Sequence, residues 1–414
     1  MEAVCSQANV LKAWKHVRGN KGSPGIDGLS IEATAEVLHR QWPAIRSRLL
    51  AGTYRPQPVL RVNIPKPGGG FRSLGVPCVV DRLIQQAVLQ VLQPRWDPTF
   101  SAHSYGFRPG RSAHQAVAKA QQYVADGYAV TVDIDLEKFF DRVNQDRLMA
   151  RVAHRESDRR LLRLIRAFLN AGVLEHGVVQ PTVEGTPQGG PLSPLLSNLV
   201  LDELDKELER RGLRFCRYAD DCNIYVRSHR AGERVMASVS RFLTRKLRLP
   251  VNESKSAVDC ANRRQFLGFR ILAGGRKRGL APKAIQRFKR QVRVLTRRTR
   301  GISLTEMVAQ VGDYLRGWYA YFGFCQTPWV LRLLDSWVRR RLRAYQWRQW
   351  RRGRRRFREL RRRGLTRYRA AIAAGSQLGP WRMARLPAMQ EALPSRFFDA
   401  AGLPRLRSGQ SCLL

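Results

Sequence analysis

The sequence is poor in acidic residues, since its 414 residues include 32 aspartates and glutamates against 75 lysines and arginines. The formal net charge of +43 far exceeds what solubility requires, and it predicts a polyanionic partner. The basic residues are spread along the whole chain and are not collected in one amphipathic helix, which disfavours a membrane surface as that partner. Arginine outnumbers lysine, and its planar guanidinium suits bidentate contacts with phosphate. We therefore expect the chain to bind nucleic acid.

Paired cysteines and long apolar runs are also missing. None of the 7 cysteines belongs to a C-x-x-C pair, and no histidine lies at zinc-finger spacing from them. They are expected to be free thiols or small core residues in a reducing compartment. No stretch is apolar enough to span a membrane, and the N-terminus lacks an apolar signal segment. These absences predict a cytoplasmic protein without a membrane partner.

Two adjacent carboxylates, Asp220 and Asp221, are the most informative feature that is present. They lie between two short apolar runs, 213–216 and 222–226, which both predict strands and place the pair at a hairpin tip. Neighbouring like charges repel, so a fold tolerates them best where a cation neutralises them. A solvated acidic turn is the alternative for the pair alone. An enzyme of phosphoryl transfer needs such a cluster to hold divalent ions.

A second group of acids ends the apolar run 129–136, which predicts a buried strand. Asp133 and Asp135 are two residues apart, so their side chains share one face of that strand. If this strand neighbours the hairpin, one of its acids and the hairpin pair could together hold two magnesium ions. The acids of the helix predicted over 195–211 are instead expected on a solvated face. They are Asp202, Glu203, Asp205 and Glu207.

Glycine and proline interrupt the N-terminal part at 20–28 and 64–72. Ordinary turns are one explanation. The other is a mobile basic hairpin that closes over phosphates, with Lys66 and Arg72 as the charged groups. Further along, Asn144 is expected to cap a helix.

Strand signals vanish from Pro282 onward, where helices are predicted over 314–324 and 329–350. The following stretch, 351–369, is intensely basic, and repulsion between its charges disfavours a helix unless an anion neutralises them. We expect it to contact nucleic acid. Upstream, helices and strands follow one another without the regular alternation of a doubly wound sheet, which favours an α+β fold.

Sequence motifs connect these features to a known family. They are 65–72 (PKPGGGFR), 104–110 (SYGFRPG), 135–141 (DLEKFFD), 186–194 (TPQGGPLSP), 218–221 (YADD), 252–255 (NESK), 266–269 (FLGF) and 315–322 (LRGWYAYF). In this order, over nearly its full length, the chain resembles the reverse transcriptase/maturases encoded by bacterial group II introns.

The resemblance implies a right-hand polymerase. Fingers and palm with an antiparallel sheet would cover 1–275, and an α-helical thumb or X domain would cover 276–350. A basic, helical, maturase-specific or DNA-binding segment would cover 351–414, with no endonuclease domain. The chain departs from the family at Gln145, where relatives often have histidine, and this position is expected to lie outside the metal site.

The resemblance also implies a catalytic centre. Asp135, Asp220 and Asp221 would be the catalytic acids that bind two Mg²⁺ ions, together with the backbone of Leu136. Asp133 would then be a structural neighbour in its strand.

Further residues would bind the nucleotide and the nucleic acid. Lys66 and Arg72 would neutralise the triphosphate, Gln188 would contact the incoming nucleotide, and Lys255 would assist the departing pyrophosphate. The ring of Phe140 would clash with a 2′-hydroxyl and so select deoxynucleotides. The residues expected at the nucleic acid are Arg217, Tyr218, Arg351, Arg354, Arg355 and Arg356.

The implied function is RNA-directed DNA polymerisation combined with maturase activity. The partners would be a group II intron RNA, an RNA template with a DNA primer, and target DNA. Without an endonuclease, retrohoming would need a primer supplied from elsewhere. An RNA-dependent RNA polymerase, a non-catalytic RNA-binding splicing cofactor and a related reverse transcriptase recruited to host defence are the alternatives. The oligomeric state is left open.

Overall fold

The computed structural model describes residues 1–65, 70–175, 178–180, 185 and 189–406, with Arg72, Glu175 and Val178 described by their backbone alone. The chain divides into two compact units. Met1–Tyr123 and Gly127–Cys260 form the first, and Val124–Asp126 and Ala261–Leu414 form the second. Helices and strands mix through the first 260 residues, whereas the remainder is mostly helical. The predicted α+β fold with a helical C-terminal region is confirmed at this level.

Nine helices and eight strands are described up to residue 260. The helices are α1 (Gln7–Gly19), α2 (Ile31–Ala51), α3 (Val79–Trp96), α4 (Ala113–Ala125), α5 (Phe139–Arg142), α6 (Gln145–Arg155), α7 (Arg159–Leu169), α8 (Ser193–Arg210) and α9 (His229–Phe242). The strands are β1 (Val59–Pro65), β2 (Phe71–Val76), β3 (Val130–Ile134), β4 (Val173–Glu175), β5 (Val178–Gln180), β6 (Arg214–Tyr218), β7 (Asp221–Val226) and β8 (Ala257–Cys260).

The central sheet has the strand order β6-β7-β3-β8, and all its neighbouring strands are antiparallel. Its strand β3 is apolar and buried, with Val132 fully enclosed, as the apolar run in the sequence predicts. Helix α9 packs on this sheet at Gly232, where a Cβ atom would overlap the side chain of Val258 on β8. A glycine therefore allows the helix to approach the sheet closely.

A second sheet has the order β2-β1-β4-β5. Strands β1 and β2 form an antiparallel hairpin that runs from the pair Leu60–Val76 to the pair Pro65–Phe71, and its closing over phosphates stays a prediction. Its outer part is exposed, since Ile64 and Phe71 keep 46% and 68% of their surface accessible. This hairpin is therefore not covered by the core of its own unit.

Local polar groups determine where the elements begin and end. The side chain of Asn144 accepts a hydrogen bond of 2.9 Å from the backbone N–H of Arg147, and so caps α6 as predicted. After α8, Gly212 adopts a positive φ of 65° and redirects the chain into β6. Asn144 thus marks the start of α6, and Gly212 marks the end of α8.

Asp81 on α3 is a buried acid with two hydrogen bonds. Its carboxylate accepts from the Tyr54 hydroxyl at 2.8 Å and from the Gln57 backbone N–H at 3.1 Å. Burial raises the pKa of the Asp81 carboxyl to about 6, although both hydrogen bonds act in the opposite direction. Between about pH 4 and pH 6 the folded chain therefore keeps a proton that the unfolded chain releases.

This proton predicts a pH dependence of stability. The free energy of unfolding of the wild type, relative to that of Asp81→Asn, should fall by about 2 kcal/mol as the pH rises from about 4.5 to about 7. The sign follows because the folded state binds more protons than the unfolded state in this window. Urea unfolding of both proteins across the window measures it. Identical pH profiles would contradict the assignment.

The remaining 154 residues contain a two-stranded hairpin followed by helices. The hairpin pairs β9 (Phe269–Leu272) with β10 (Lys277–Leu280). The helices are α10 (Pro282–Leu295), α11 (Leu304–Phe322), α12 (Pro328–Gln349), α13 (Gly353–Arg362), α14 (Arg367–Gly375), α15 (Pro380–Met383), α16 (Pro387–Ala392) and α17 (Ser395–Ala400). Among the described residues, no helix has the length and apolar character needed to cross a membrane.

Helix α13 lies in the basic stretch where repulsion was expected to disfavour a helix. Its Leu360 is fully buried and anchors the helix. The guanidinium of Arg356 lies 4.5 Å from the ring centroid of Trp347, and that of Arg363 lies 4.9 Å from Trp350. Apolar burial and contacts between cations and aromatic faces thus offset the repulsion between the arginines of this helix.

Candidate active site

The acids of the two sequence motifs lie at one end of neighbouring strands. On β3 and β7, Ile134 is paired with Cys222, so the next step of the register places Asp135 opposite Asp221. Asp221 begins β7 and pairs with Tyr218 across the turn that contains Asp220. Asp220 is exposed, and Asp135 and Asp221 are partly exposed. The predicted hairpin and its neighbouring strand are confirmed.

The segment 250–256 holds the backbone around Asp135. The Ser256 hydroxyl accepts from the Asp135 N–H at 3.0 Å, and the Asn252 N–H donates to the Asp135 carbonyl at 2.8 Å. Leu136 bridges to Val251 in antiparallel fashion. In such a pairing, successive residues direct their backbone groups to opposite sides, so the Leu136 carbonyl points away from 250–252.

Lys255 supplies a positive charge at the same place. Its Nζ atom lies 3.4 Å from Oδ1 of Asp135, and 64% of its side chain is exposed. The carboxylate of Asp135 thus already faces a cation. The structure therefore places Lys255 beside Asp135, and its role at the pyrophosphate stays a prediction.

The donors at this edge are carboxylate oxygens, which are the ligands that Mg²⁺ prefers. The donor chemistry of Asp135, Asp220 and Asp221 therefore fits magnesium. Within the described ranges, however, no three aspartate, glutamate, histidine or cysteine side chains are gathered closely enough to form a metal cage. Asp133 lies further inside the sheet, paired with Asn223.

The position of Phe140 depends on a glycine and a buried amide. Phe140 lies half-buried on α5, and Gly185, with a φ of +90°, packs on its carbonyl so closely that a Cβ atom would lie 2.8 Å from it. Gln145 is buried and donates to the carbonyls of Gly185 and Leu169, both at 3.1 Å. Gln145 therefore anchors the segment beside Phe140. This position was expected to lie outside the metal site, and its described hydrogen bonds lead to Gly185 and Leu169.

Arg217 corrects one expectation. Its side chain is fully buried and forms a two-pronged ion pair with the equally buried Asp205, at 2.7 and 2.6 Å. Burial raises the pKa of the Asp205 carboxyl, and the Arg217 charge opposes that shift. An arginine enclosed in this way cannot reach a nucleic acid, so its predicted role was wrong. The solvated face expected for Asp205 was also wrong, as it was for the buried Asp202.

Beside the turn, two aromatic rings face solvent. Tyr218 is half-buried, and its ring centroid lies 6.4 Å from that of Phe107. Phe107 is 46% exposed and has a positive φ of 60°, which is unusual for a bulky residue. Phe107 belongs to the motif 104–110, but nothing in the sequence alone distinguishes it from its neighbours.

Comparison with known proteins identifies the family of this chain. A family model described as reverse transcriptase (RNA-dependent DNA polymerase) matches residues 64–271, half of the chain, and includes all three acids. The chain belongs to the reverse transcriptase family. A model of the group II intron maturase-specific domain matches residues 285–364. The reverse transcriptase thus joins an RNA-directed DNA polymerase region to an intron maturase region.

Two individual proteins and one solved structure are similar to parts of this chain. Protein YkfC of Escherichia coli K12 is 33% identical over 304 residues, which cover 64% of this chain and 80% of the relative. The group II intron-encoded protein LtrA of Lactococcus lactis is 37% identical over 213 residues, which cover 50% of this chain but 34% of LtrA. A solved chain of the partial Cas6-RT-Cas1–Cas2 complex is 26% identical, with a TM-score of 0.38, and the match covers 59% of this chain and 42% of that one.

Lys66, Arg72 and Gln188 are the remaining residues expected at the nucleotide. Lys66 and Gln188 lie outside the described residues, and Arg72 is described by its backbone, which pairs with Ile64. Gly189, which follows Gln188, packs against strand β2. A Cβ atom at Gly189 would lie 2.5 Å from the carbonyl of Gly75, on the strand that carries Arg72.

Three of the arginines expected at the nucleic acid, Arg351, Arg355 and Arg356, line a cavity of about 850 Å³ in the helical unit of the reverse transcriptase, whereas Arg354 does not line it. Arg351, Arg354 and Arg355 are exposed, and Arg356 is half-buried. Five arginines and no acid are found among the residues that line the cavity. These residues are Arg298, Thr299, Gly301, Ile302, Ser303, Tyr345, Arg348, Gln349, Arg351, Arg355 and Arg356.

Proposed function

We propose that the reverse transcriptase extends a DNA primer on an RNA template at Asp135, Asp220 and Asp221. The observation that carries this proposal is the register that brings Asp135 and Asp221 to the same end of adjacent strands, with Asp220 in the adjoining turn. The three carboxylates would hold two Mg²⁺ ions together with the Leu136 carbonyl. Such ions, when bound, lower the pKa of an attacking hydroxyl and stabilise the charge on the leaving group.

Cationic side chains complete the proposed site. Lys255 neutralises Asp135 across 3.4 Å, and its exposed ammonium can turn to the pyrophosphate as negative charge develops there. Lys66 and Arg72, on the β1–β2 hairpin, would hold the triphosphate. Gln188 would contact the incoming nucleotide. Positioned positive charge of this kind is the main contribution of a protein to phosphoryl transfer.

Phe140 would select deoxynucleotides, because its ring would occupy the space of a 2′-hydroxyl. Replacing Phe140 by alanine should raise the efficiency of ribonucleotide relative to deoxynucleotide incorporation by about 10- to 100-fold, the range expected when a pocket loses steric discrimination. Single-nucleotide incorporation kinetics measure this ratio. Phe140→Tyr keeps the ring and serves as the control with an unchanged ratio. Equal use of both nucleotides by the wild type would contradict the gate and favour an RNA polymerase.

The architecture that this function requires is a right hand. We assign fingers and palm to 1–275, thumb or X domain to 276–350 and a basic segment to 351–414. The antiparallel central sheet would be the palm, and the exposed β1–β2 hairpin would belong to the fingers.

The free thiols of the described cysteines are consistent with a reducing cytoplasm.

The helical unit would bind the intron RNA as a maturase. The cavity lined by five arginines and no acid supports this role, since unopposed guanidinium groups favour a phosphate backbone. Tyr218 and the exposed Phe107 would contact the primer or template near the acids. Target DNA would bind the same basic chain during retrohoming, with the primer supplied from elsewhere.

Two assays on the wild-type chain test the proposal. Primer extension on an RNA template with deoxynucleotides should yield cDNA that depends on a divalent ion. Splicing of the intron that flanks the reading frame should accelerate when the chain is added. Accelerated splicing without any cDNA would contradict polymerisation and leave the non-catalytic splicing cofactor. If neither activity were found, both parts of the proposal would fail.

A further inference from the structure

The turn that carries Asp220 is hydrogen-bonded to the buried guanidinium of Arg217. All five N–H groups of Arg217 donate hydrogen bonds within the interior. The acceptors are Asp205 Oδ1 at 2.7 Å, Asp205 Oδ2 at 2.6 Å, Asn198 Oδ1 at 3.0 Å, Ser104 Oγ at 2.8 Å and the Ala219 carbonyl at 2.9 Å. One guanidinium thereby connects helix α8, the segment before Gly106 and the turn itself.

The segment 103–106 forms the second support of the turn. The Arg217 N–H donates to the His103 carbonyl, and the Tyr105 N–H donates to the Arg217 carbonyl, both at 2.9 Å. Asn198 donates to the Gly106 carbonyl at 2.9 Å. A Cβ atom at Gly106 would overlap the backbone nitrogen of Ala219. The backbone of 103–106 therefore lies directly against the turn.

Ala219 itself has a conformation that needs such support. Its φ is 58°, in the left-handed region that costs an alanine free energy, and it is buried. A single hydrogen bond from Arg217 fixes its carbonyl, and the next residue is Asp220. Because Asp220 follows directly, a rotation at Ala219 would change the direction of the Asp220 side chain.

We infer that Arg217, supported by Asp205, Asn198 and Ser104, is a positioning residue that sets the carboxylate of Asp220 for metal binding. The inference rests on the proposed metal role of the acids. It replaces the contact with nucleic acid that the sequence suggested for Arg217. It also gives a function to the motif 104–110, whose serine and glycine are the groups that touch Arg217 and the turn.

Lysine cannot replace this arginine, because an ammonium has three donors and lacks the planar fork that reaches Asp205, Asn198, Ser104 and Ala219 together. Arg217→Lys keeps the charge opposite Asp205, so the interior stays neutralised while the hold on the turn is lost. The kcat of nucleotide addition should fall by about 10- to 100-fold, as is typical when reacting groups are misplaced by about an ångström. The KM for the deoxynucleotide should stay within about threefold of the wild type.

Mn²⁺ binding gives a readout that does not depend on catalysis. Titration of Mn²⁺ followed by electron paramagnetic resonance should show binding to Arg217→Lys weakened by about tenfold, about the effect of losing support around metal ligands. Ser104→Ala removes one acceptor of the network and should shift the same titration in the same direction by a smaller factor. It serves as the second variant if Arg217→Lys does not fold.

Arg339→Lys is the matched control, because Arg339 is also buried and paired with two aspartates, Asp335 and Asp399, in the other unit. Its variant should bind Mn²⁺ like the wild type even if its melting temperature falls. Equal Mn²⁺ affinity and equal kcat in Arg217→Lys, Ser104→Ala and the wild type would overturn the inference. An inactive wild type that still binds Mn²⁺ more tightly than Arg217→Lys would contradict the proposed polymerisation but uphold the positioning role.

Discussion

Asp221→Ala is expected to lose cDNA synthesis by a factor of about 10³ or more while it still binds intron RNA and promotes splicing. The loss follows because removing a metal ligand forfeits several kcal/mol of transition-state stabilisation, and each 1.36 kcal/mol corresponds to about tenfold in rate. Asp221 begins β7 in the first unit, whereas the cavity lined by arginines belongs to the second. Single-turnover primer extension and a splicing assay on the same preparation measure both activities.

Asp133→Asn is the control for this experiment. Asp133 lies on the same strand as Asp135 and is paired with Asn223, but it lies two residues further into the sheet. Its variant should keep activity within about tenfold of the wild type, a loss that a merely structural change can produce. If Asp133→Asn were inactive and Asp221→Ala active, the metal ligands would be misassigned. Loss of splicing in Asp221→Ala would show that the two functions share this site.

The affinity for intron RNA is expected to fall steeply with salt, by about 10³-fold or more between about 50 and 200 mM for 6 to 10 phosphate contacts. The cause is the release of counterions from the phosphates that the arginines neutralise. The slope of log affinity against log salt concentration is negative. Arg351→Ala and Arg355→Ala should each reduce its magnitude by about 1. Filter binding or fluorescence anisotropy at several salt concentrations measures these slopes.

Arg332→Ala removes the same charge and provides the comparison. Arg332 is exposed on α12 and is absent from the residues that line the arginine cavity. Its slope should stay close to that of the wild type, because a charge outside the contact surface releases few counterions. Equal reductions in all three variants would show that the cavity has no special role. A nearly flat salt dependence of the wild type would contradict phosphate binding itself.

Much of the central sheet could be predicted because its signals are local. The apolar run 129–136 and the two runs around Asp220 and Asp221 each predict a strand, and β3, β6 and β7 follow them. Asn144 also acts within four residues of its own position. What the residues alone left conditional was the neighbourhood of the two strands, which depends on long-range pairing.

The buried pair of Arg217 and Asp205 could not be predicted in the same way. Each is a charged residue among other charges, and such residues are rarely buried unless they are paired. The pairing joins a helix to a strand, so no periodicity within either element reveals it. The resemblance implied a contact between Arg217 and nucleic acid, whereas the structure buries the guanidinium and bonds it to the Ala219 carbonyl of the turn.

The structural roles of Gln145 and Phe107 could not be predicted from the sequence either, for two different reasons. Gln145 acts through the carbonyls of Gly185 and Leu169, which lie 40 and 24 residues away. Phe107 is distinguished by a positive φ and exposure beside Tyr218, which are properties of the folded backbone alone. The departure from the family at Gln145 was a visible signal in the sequence, but its meaning required the contacts.

Metal-directed cleavage of the chain tests the central account most directly. Fe²⁺ can replace Mg²⁺ at carboxylate sites, and with ascorbate and peroxide it cuts the backbone that surrounds it. The account predicts cuts near residue 135 and near 220–221, suppressed by excess Mg²⁺ and lost in Asp221→Ala. Cuts elsewhere, or the same cuts in Asp221→Ala, would contradict the assignment of Asp135, Asp220 and Asp221 as the metal site of this reverse transcriptase.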